Sequence, residues 1–189
     1  MAKKFELTAE FVTNIFGKKL FRIKALMAFG DVKEGELGGY LEKEENLDHD
    51  GDAWVSGNAW VSGDAWVSGN ARVYGDARVS GNAKVSGNAD VSGDAKVSGD
   101  AWVSGNARVY GDAGYATIKG FGRESRATTF FRLKSGEIGV RCGCFYGTVE
   151  QFRKKVKETH GNSKYAKEYL MIADLMELHF EHEEEKTCD

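Results

Sequence analysis

The sequence predicts a mainly β protein: a parallel β-helix in the middle of the chain, an N-terminal β cap before it and a C-terminal α+β unit after it. Three observations predict this. A six-residue phrase, Gly-Asp/Asn-Ala-x-Val-Ser/Tyr, runs ten times without an insertion from Gly51 to Tyr110, and a degraded eleventh copy follows to Ala116. Short β-rich runs punctuated by glycine fill the first fifty residues. Beyond residue 116 the pattern changes to strand-like runs and then to helical spacing. The three segments are accordingly 1–50, 51–116 and 117–189. Self-similarity at a short fixed period is the mark of a solenoid, whose units bury their apolar side only by stacking on one another.

Each hexad position has a physical role. Val55, Val61, Val67 and their successors supply one β-branched residue per unit, suited to a short extended segment facing a narrow core. The residues on either side of each Val then point outward, because side chains alternate along a strand. Gly-Asp and Gly-Asn pairs between the segments are turn chemistry: glycine tolerates positive φ and a short Asx side chain bonds nearby backbone. The Ala beside each turn leaves little room for anything larger. Strand, corner and small inward residue describe a prism with parallel sheets as its sides.

In the N-terminal segment, Lys4–Leu7 and Lys19–Leu26 read as strands, with Phe21, Ile23 and Ala25 on one side and a turn over Asn14–Lys18. Such a cap covers the open strand edges at a solenoid end. Asn46-Leu47 begins to resemble a hexad, and His49 falls where later hexads carry Val. After the repeat, Thr128–Lys134 and Val140–Tyr146 read as a hairpin. Thr148 and Gln151 match a capping box opening a helix that stops near His160-Gly161-Asn162. Ser163 caps a second helix, in which Tyr165, Tyr169, Ile172, Met176 and Phe180 follow helical spacing. Leu170, Met171, Leu175 and Leu178 widen its apolar surface, as expected of a helix that meets both its own hairpin and a further subunit. The C-terminal unit is therefore expected to serve oligomerisation or partner binding.

The hexads match the pattern of hexapeptide-repeat proteins with left-handed parallel β-helices. That resemblance implies three hexads per coil and a left hand, against the usual right-handed crossover preference. Three hexads per coil stack residues eighteen apart on neighbouring strands. One wall then carries Trp54, Arg72, Asp90 and Arg108, with Tyr74 and Tyr110 on the same wall. A second carries Trp66, Lys84 and Trp102, placing a lysine between two indoles. The third carries Trp60, Arg78 and Lys96. Opposite charges and cation–indole neighbours in these columns favour the eighteen-residue coil, against one like-charge step, Arg78 beside Lys96. Leu20–Leu26 with Gly35–Gly39, and Cys142–Phe145 leading into His160–Ala166, further resemble flanks of hexapeptide-repeat proteins encoded by bacteriophages and prophages.

Composition narrows the function. The chain of 189 residues has a net charge of −3 and no strongly polarised segment, which argues against a basic duplex-DNA binder. Proline is absent, as suits a backbone committed to ladders. No apolar run is long enough to cross a bilayer and the N-terminus does not read as a signal peptide. The three cysteines, Cys142, Cys144 and Cys188, make no disulfide framework, so a reduced, cytoplasmic protein is expected, within a bacterial host if phage-encoded.

Neither catalysis nor a cofactor is expected. Acyltransferases of the resembled fold use a histidine base and its carbonic anhydrases three histidines on a metal; His49, His160, His179 and His182 all lie outside the coils. Cys142 and Cys144 read as a pair on one side of a strand rather than metal ligands, and Asp76, Asp94 and Asp112 as corner residues rather than a cation column. Outward Trp, Tyr and Arg are the residue types of binding hot spots. Trp54, Trp60, Trp66, Arg72, Tyr74, Lys84, Trp102, Arg108 and Tyr110 are therefore the expected contact residues, with burial of the indoles under the flanking units as the competing account. The expectation is a non-catalytic, homo-oligomeric binder of a host protein, such as a CRISPR-type defence effector. The alternatives are a nucleotide-sequestering sponge and a trimeric acyltransferase.

Overall fold

The computed structural model describes residues 3–181 and winds the hexads into a three-sided parallel β-helix. Cys188, His182 and the acidic run beyond Glu181 lie outside the described residues. The chain begins with β1 (Phe5–Thr13), β2 (Lys19–Ala25) and β3 (Leu37–Leu41). The hexads contribute β4 (Trp54–Val55), β5 (Trp60–Val61), β6 (Trp66–Val67), β7 (Arg72–Val73), β8 (Arg78–Val79), β9 (Lys84–Val85), β10 (Asp90–Ser92), β11 (Lys96–Val97), β12 (Trp102–Val103) and β13 (Arg108–Tyr110). Then come β14 (Tyr115–Ile118), β15 (Thr128–Arg132), β16 (Ile138–Cys142), β17 (Phe145–Thr148), α1 (Val149–His160) and α2 (Lys164–Phe180).

Every third hexad stacks in register. Trp54 faces Arg72, Arg72 faces Asp90, and Asp90 faces Arg108 on one wall. Trp66, Lys84 and Trp102 align on another, and Trp60, Arg78 and Lys96 on the third. Inside, the Val and Ala of every hexad are at most 1% exposed. The corner glycines have φ between 65° and 77°, which only glycine adopts without strain. Asn70 and Asn88 hydrogen-bond along one corner at 3.0 Å. Not every residue after Val points into solvent, however: Ser62, Ser68, Ser92 and Ser104 are buried, Ser92 in register beside Tyr110 on the wall that Tyr74 shares.

The cap is continuous with the prism. β1 and β2 form a hairpin, β3 pairs antiparallel with β2 and parallel with β5, and one sheet runs β1-β2-β3-β5-β8-β11. Gly39 permits this approach, since a Cβ there would sit 2.4 Å from the Ala59 carbonyl oxygen. Leu41 and Leu47 lie beneath Val61 and Val67 and open the first coil. Leu47, not His49, therefore takes the inward slot, because the corner between Leu47 and Val55 is two residues longer than its successors. His49 instead stacks on Phe5 at 4.4 Å and bonds Glu44 at 2.8 Å.

The two prism ends are closed by opposite chemistry. Each coil donates its N–H groups to carbonyls of the next, as Trp54 does to Ala71 at 3.0 Å. The first coil thus needs donors from the cap, and the last coil needs acceptors. At the first coil, Lys4 Nζ donates to the carbonyls of Gly51 (3.2 Å) and Ala53 (3.0 Å), and Asn46 Nδ2 to those of Gly63 (3.0 Å) and Ala65 (2.8 Å). At the last coil, the N–H groups of Lys96, Ser98, Trp102 and Asn106 donate to Asp112 Oδ1 (2.8 Å), Tyr115 Oη (3.1 Å), Thr129 Oγ1 (3.0 Å) and Tyr146 Oη (3.3 Å). Burial lowers the Lys4 pKa against the pull of Asp48, Asp52 and Asp50. One N–H at this end, that of Gly63, also needs an acceptor, and Glu42 takes it together with Lys18 Nζ, both at 2.7 Å.

Those hydrogen bonds, led by Lys18, hold the Glu42 carboxyl below its usual range. A depressed folded pKa means stability that is present above the unfolded pKa and lost as pH falls through the folded one. Glu42→Gln should flatten that part of the acid limb; thermal melts from pH 6 down to pH 2, on wild type and variant, would read it. Parallel acid limbs would contradict the assignment.

Beyond the prism the expected hairpin is a four-stranded antiparallel sheet, β14-β15-β16-β17. The degraded eleventh hexad forms a single turn at Asp112–Gly114 and then β14. The expected strand Val140–Tyr146 is broken, because Gly143 turns with φ 56° and Cys142 pairs with Phe145. Cys142 ends one strand and Cys144 sits in the turn, so they do not share a strand face. β15 separates two cores by alternation: Phe131 joins the Val/Ala core of the prism, and Phe130 joins Phe152, Tyr169, Ile172 and Met176. The capping box at Thr148 and Gln151 and the Ser163 cap form as expected. α2 buries Tyr169, Ile172, Ala173, Met176 and Phe180 and leaves Tyr165, Met171, Leu175 and Leu178 exposed.

Candidate functional site

The walls hold the expected contact residues in unequal states. Trp54 is only 5% exposed, edge-on to the rings of Phe29 (5.4 Å) and Phe5 (6.5 Å). The cap covers it, so it is a core residue rather than a contact residue. Its indole Nε1 is buried with no hydrogen-bond partner. Trp102 is half-buried, with the Arg141 guanidinium carbon 3.7 Å from its ring centroid and its Nε1 donating to Ser86 at 3.3 Å. Lys84 approaches the Trp102 ring at 5.4 Å but makes no comparable contact with Trp66, so it is not held between two indoles. Trp66 is exposed beside an acidic rim of Glu44, Glu45, Asp48 and Asp50.

On the Trp54 wall, register and ion pairing part company. Asp90 lies between Arg72 and Arg108 in sequence of strands, yet its partner is Lys134 at 2.9 Å. Arg72 pairs with Asp31, whose hydrogen bond raises the arginine pKa. These two loop residues, Asp31 before the prism and Lys134 after it, escape any argument from the repeat. Together with Trp54, Asn70, Tyr74 and Asn88 they line a groove of about 590 Å³. Glu36 and Asp52 add further carboxylates to its lining. Beside the groove, Tyr74 is 41% and Tyr110 is 73% exposed, and Arg108 is exposed. The repeat places these tyrosines two strands apart, about 9.6 Å.

The Trp60 wall carries a second cleft, of about 400 Å³. Arg78 lies over the Trp60 ring at 5.4 Å. The β1–β2 turn forms the opposite side with Val12, Ile15, Phe16 and Leu20. Ile15 and Phe16 were not among the expected contact residues. Two large apolar side chains inside a turn bounded by Asn14 and Gly17, where hairpin closure requires neither, are the signal that identifies them.

The corner carboxylates hydrogen-bond within the coils. Asp76 accepts from Asn58 at 3.1 Å, and Asp112 bonds the backbone and side chain of Lys96. Among the described residues, no three His, Cys, Asp or Glu side chains gather as metal ligands would. No described helix is long and apolar enough to cross a membrane.

Comparison with known families agrees with this architecture. The YdcK beta solenoid repeat matches residues 53–69, 65–81 and 71–87. These windows begin at Ala53, Ala65 and Ala71, so the match keeps the hexad phase. No curated protein matches the chain. Stacked hexads, register and family match together make this a repeat β-solenoid protein.

Proposed function

We propose that the protein is a non-catalytic binding protein that engages a protein partner through the wall bearing Tyr74 and Tyr110. The observation that carries this reading is their placement. They are the two tyrosines at a position otherwise held by serine in the ten regular hexads, they share one wall, and both are exposed beside arginines. Exposed aromatic and Arg side chains at fixed spacing on a rigid sheet lose little conformational freedom on binding. Cations that a nucleotide phosphate would use in the adjoining groove, Arg72 and Lys134, are each taken by a carboxylate, which favours a protein over a nucleotide. An acyltransferase reading lacks a histidine anywhere in 51–116.

The finer reading is a phage-encoded, cytoplasmic accessory whose target is a host protein such as a CRISPR-type defence effector; it rests on the resemblance of the flanks. Self-association through the exposed Met171, Leu175 and Leu178 of α2 belongs to the same reading, and light scattering would count the subunits.

The test exploits the repeat itself. Tyr74→Ser with Tyr110→Ser restores the residue that other hexads carry and should leave the melting temperature unchanged. Affinity capture from a bacterial host lysate should then retain a specific protein on the wild type and at least tenfold less on the variant. Equal retention by both, or no retained protein, would overturn the assignment.

A further inference from the structure

We propose that the cleft between the β1–β2 turn and the Trp60 wall is a second binding site, which takes a peptide segment pairing an apolar side chain with a carboxylate. Its location, residues and ligand chemistry are independent of the tyrosine wall. The turn is built to hold its apolar tip in place. Asn14 Oδ1 accepts from the N–H groups of Phe16 (2.9 Å) and Lys18 (3.0 Å), and the Asn14 N–H donates to the Lys18 carbonyl at 3.0 Å. On this loop Ile15 is 92% and Phe16 is 79% exposed. Hydrophobic exposure of that size on a hydrogen-bonded turn, beside the exposed Val12 that lines the same cleft, makes an apolar patch.

Charge selects the occupant. Four further clefts on the described surface are each lined by at least two carboxylates. This one is lined by none, although acidic residues outnumber basic ones in the chain. Its charged lining residues are Arg78 and Lys96, with the hydroxyls of Ser80 and Ser98 between the strands. Lys96 is bound to Asp112 at 3.0 Å, while Arg78 feels the field of the same carboxylate, makes no ion pair among the described residues and lies over the Trp60 ring at 5.4 Å. A guanidinium 5.4 Å from an indole centroid still has N–H donors for bidentate pairing with a carboxylate. An apolar side chain of the same ligand would pack between the indole and Ile15/Phe16. The volume suits a few residues of an extended segment rather than a folded domain.

The experiment selects displayed random peptides on the full-length protein and measures the enriched ones by fluorescence anisotropy. Enrichment of Asp or Glu within two positions of Leu, Phe or Trp is expected. Arg78→Glu and the pair Ile15→Ser/Phe16→Ser should each weaken binding at least tenfold at unchanged melting temperature, and added salt should weaken it in the wild type. Tyr74→Ser/Tyr110→Ser should bind these peptides as the wild type does. No enrichment, enrichment without carboxylates, or equal binding by the Arg78 and turn variants would overturn the proposal. Loss of peptide binding in the tyrosine variant alone would move the site to the other wall and overturn it equally.

Discussion

Phe131→Ala should lower the unfolding free energy by about 3–5 kcal/mol, the range for removing a fully buried aromatic ring that its surroundings cannot replace. The ring is 0% exposed and closes the last coil, where the prism has no further coil of Val and Ala to cover it. Its neighbours cannot collapse into the space, because ladder hydrogen bonds fix the coil and the Tyr146 ring is itself tied to the Asn106 N–H. Urea unfolding followed by circular dichroism measures the effect, and a loss below about 1 kcal/mol would show that the end is sealed by something else.

Asn46→Ala should cost about 2–4 kcal/mol by leaving the Gly63 and Ala65 carbonyls and the Lys43 N–H without their partner. Asn46 is 0% exposed, so water reaches these groups poorly. Asn46→Asp separates donor chemistry from packing, since it keeps the shape but turns a carboxylate oxygen toward two carbonyl oxygens. Burial and those oxygens raise the folded pKa of such a carboxyl above its unfolded value of about 3.9. The variant's deficit therefore grows as pH rises through that unfolded value and levels off above the folded one. At pH 7 Asn46→Asp should be less stable than Asn46→Ala, and the gap should narrow on acidification. Thermal melts at several pH values decide this; an aspartate variant as stable as wild type at pH 7 would refute the donor role.

What the sequence makes legible is whatever an uninterrupted repeat leaves no freedom to alter. Asp90 must face Arg72 and Arg108 once three hexads make a coil, and it does. Its ion pair was not legible, because Lys134 arrives from a loop more than forty residues later. Counting backwards by six from Val55 reaches His49, whereas the chain places Leu47 under Val67. A longer corner defeats the arithmetic where the repeat has not yet begun. Burial of Trp54 likewise depends on Phe5 and Phe29, which its own hexad does not encode. Val140–Tyr146 is apolar and β-rich enough to read as one strand, and only the positive φ at Gly143 divides it. The contact residues were legible as types, by their departures from the hexad, but which stayed accessible was decided by the units folded over each end.

Opposite closure of the two ends gives the repeat number a geometric meaning. Adding three hexads would move the tail unit about 4.8 Å farther from the head and leave their relative bearing unchanged. Adding one would swing the tail by a third of a revolution and present Asp112, Tyr115, Thr129 and Tyr146 to different sides. Copy number in such a chain thus acts as a vernier, setting separation and azimuth between whatever its two extremities hold.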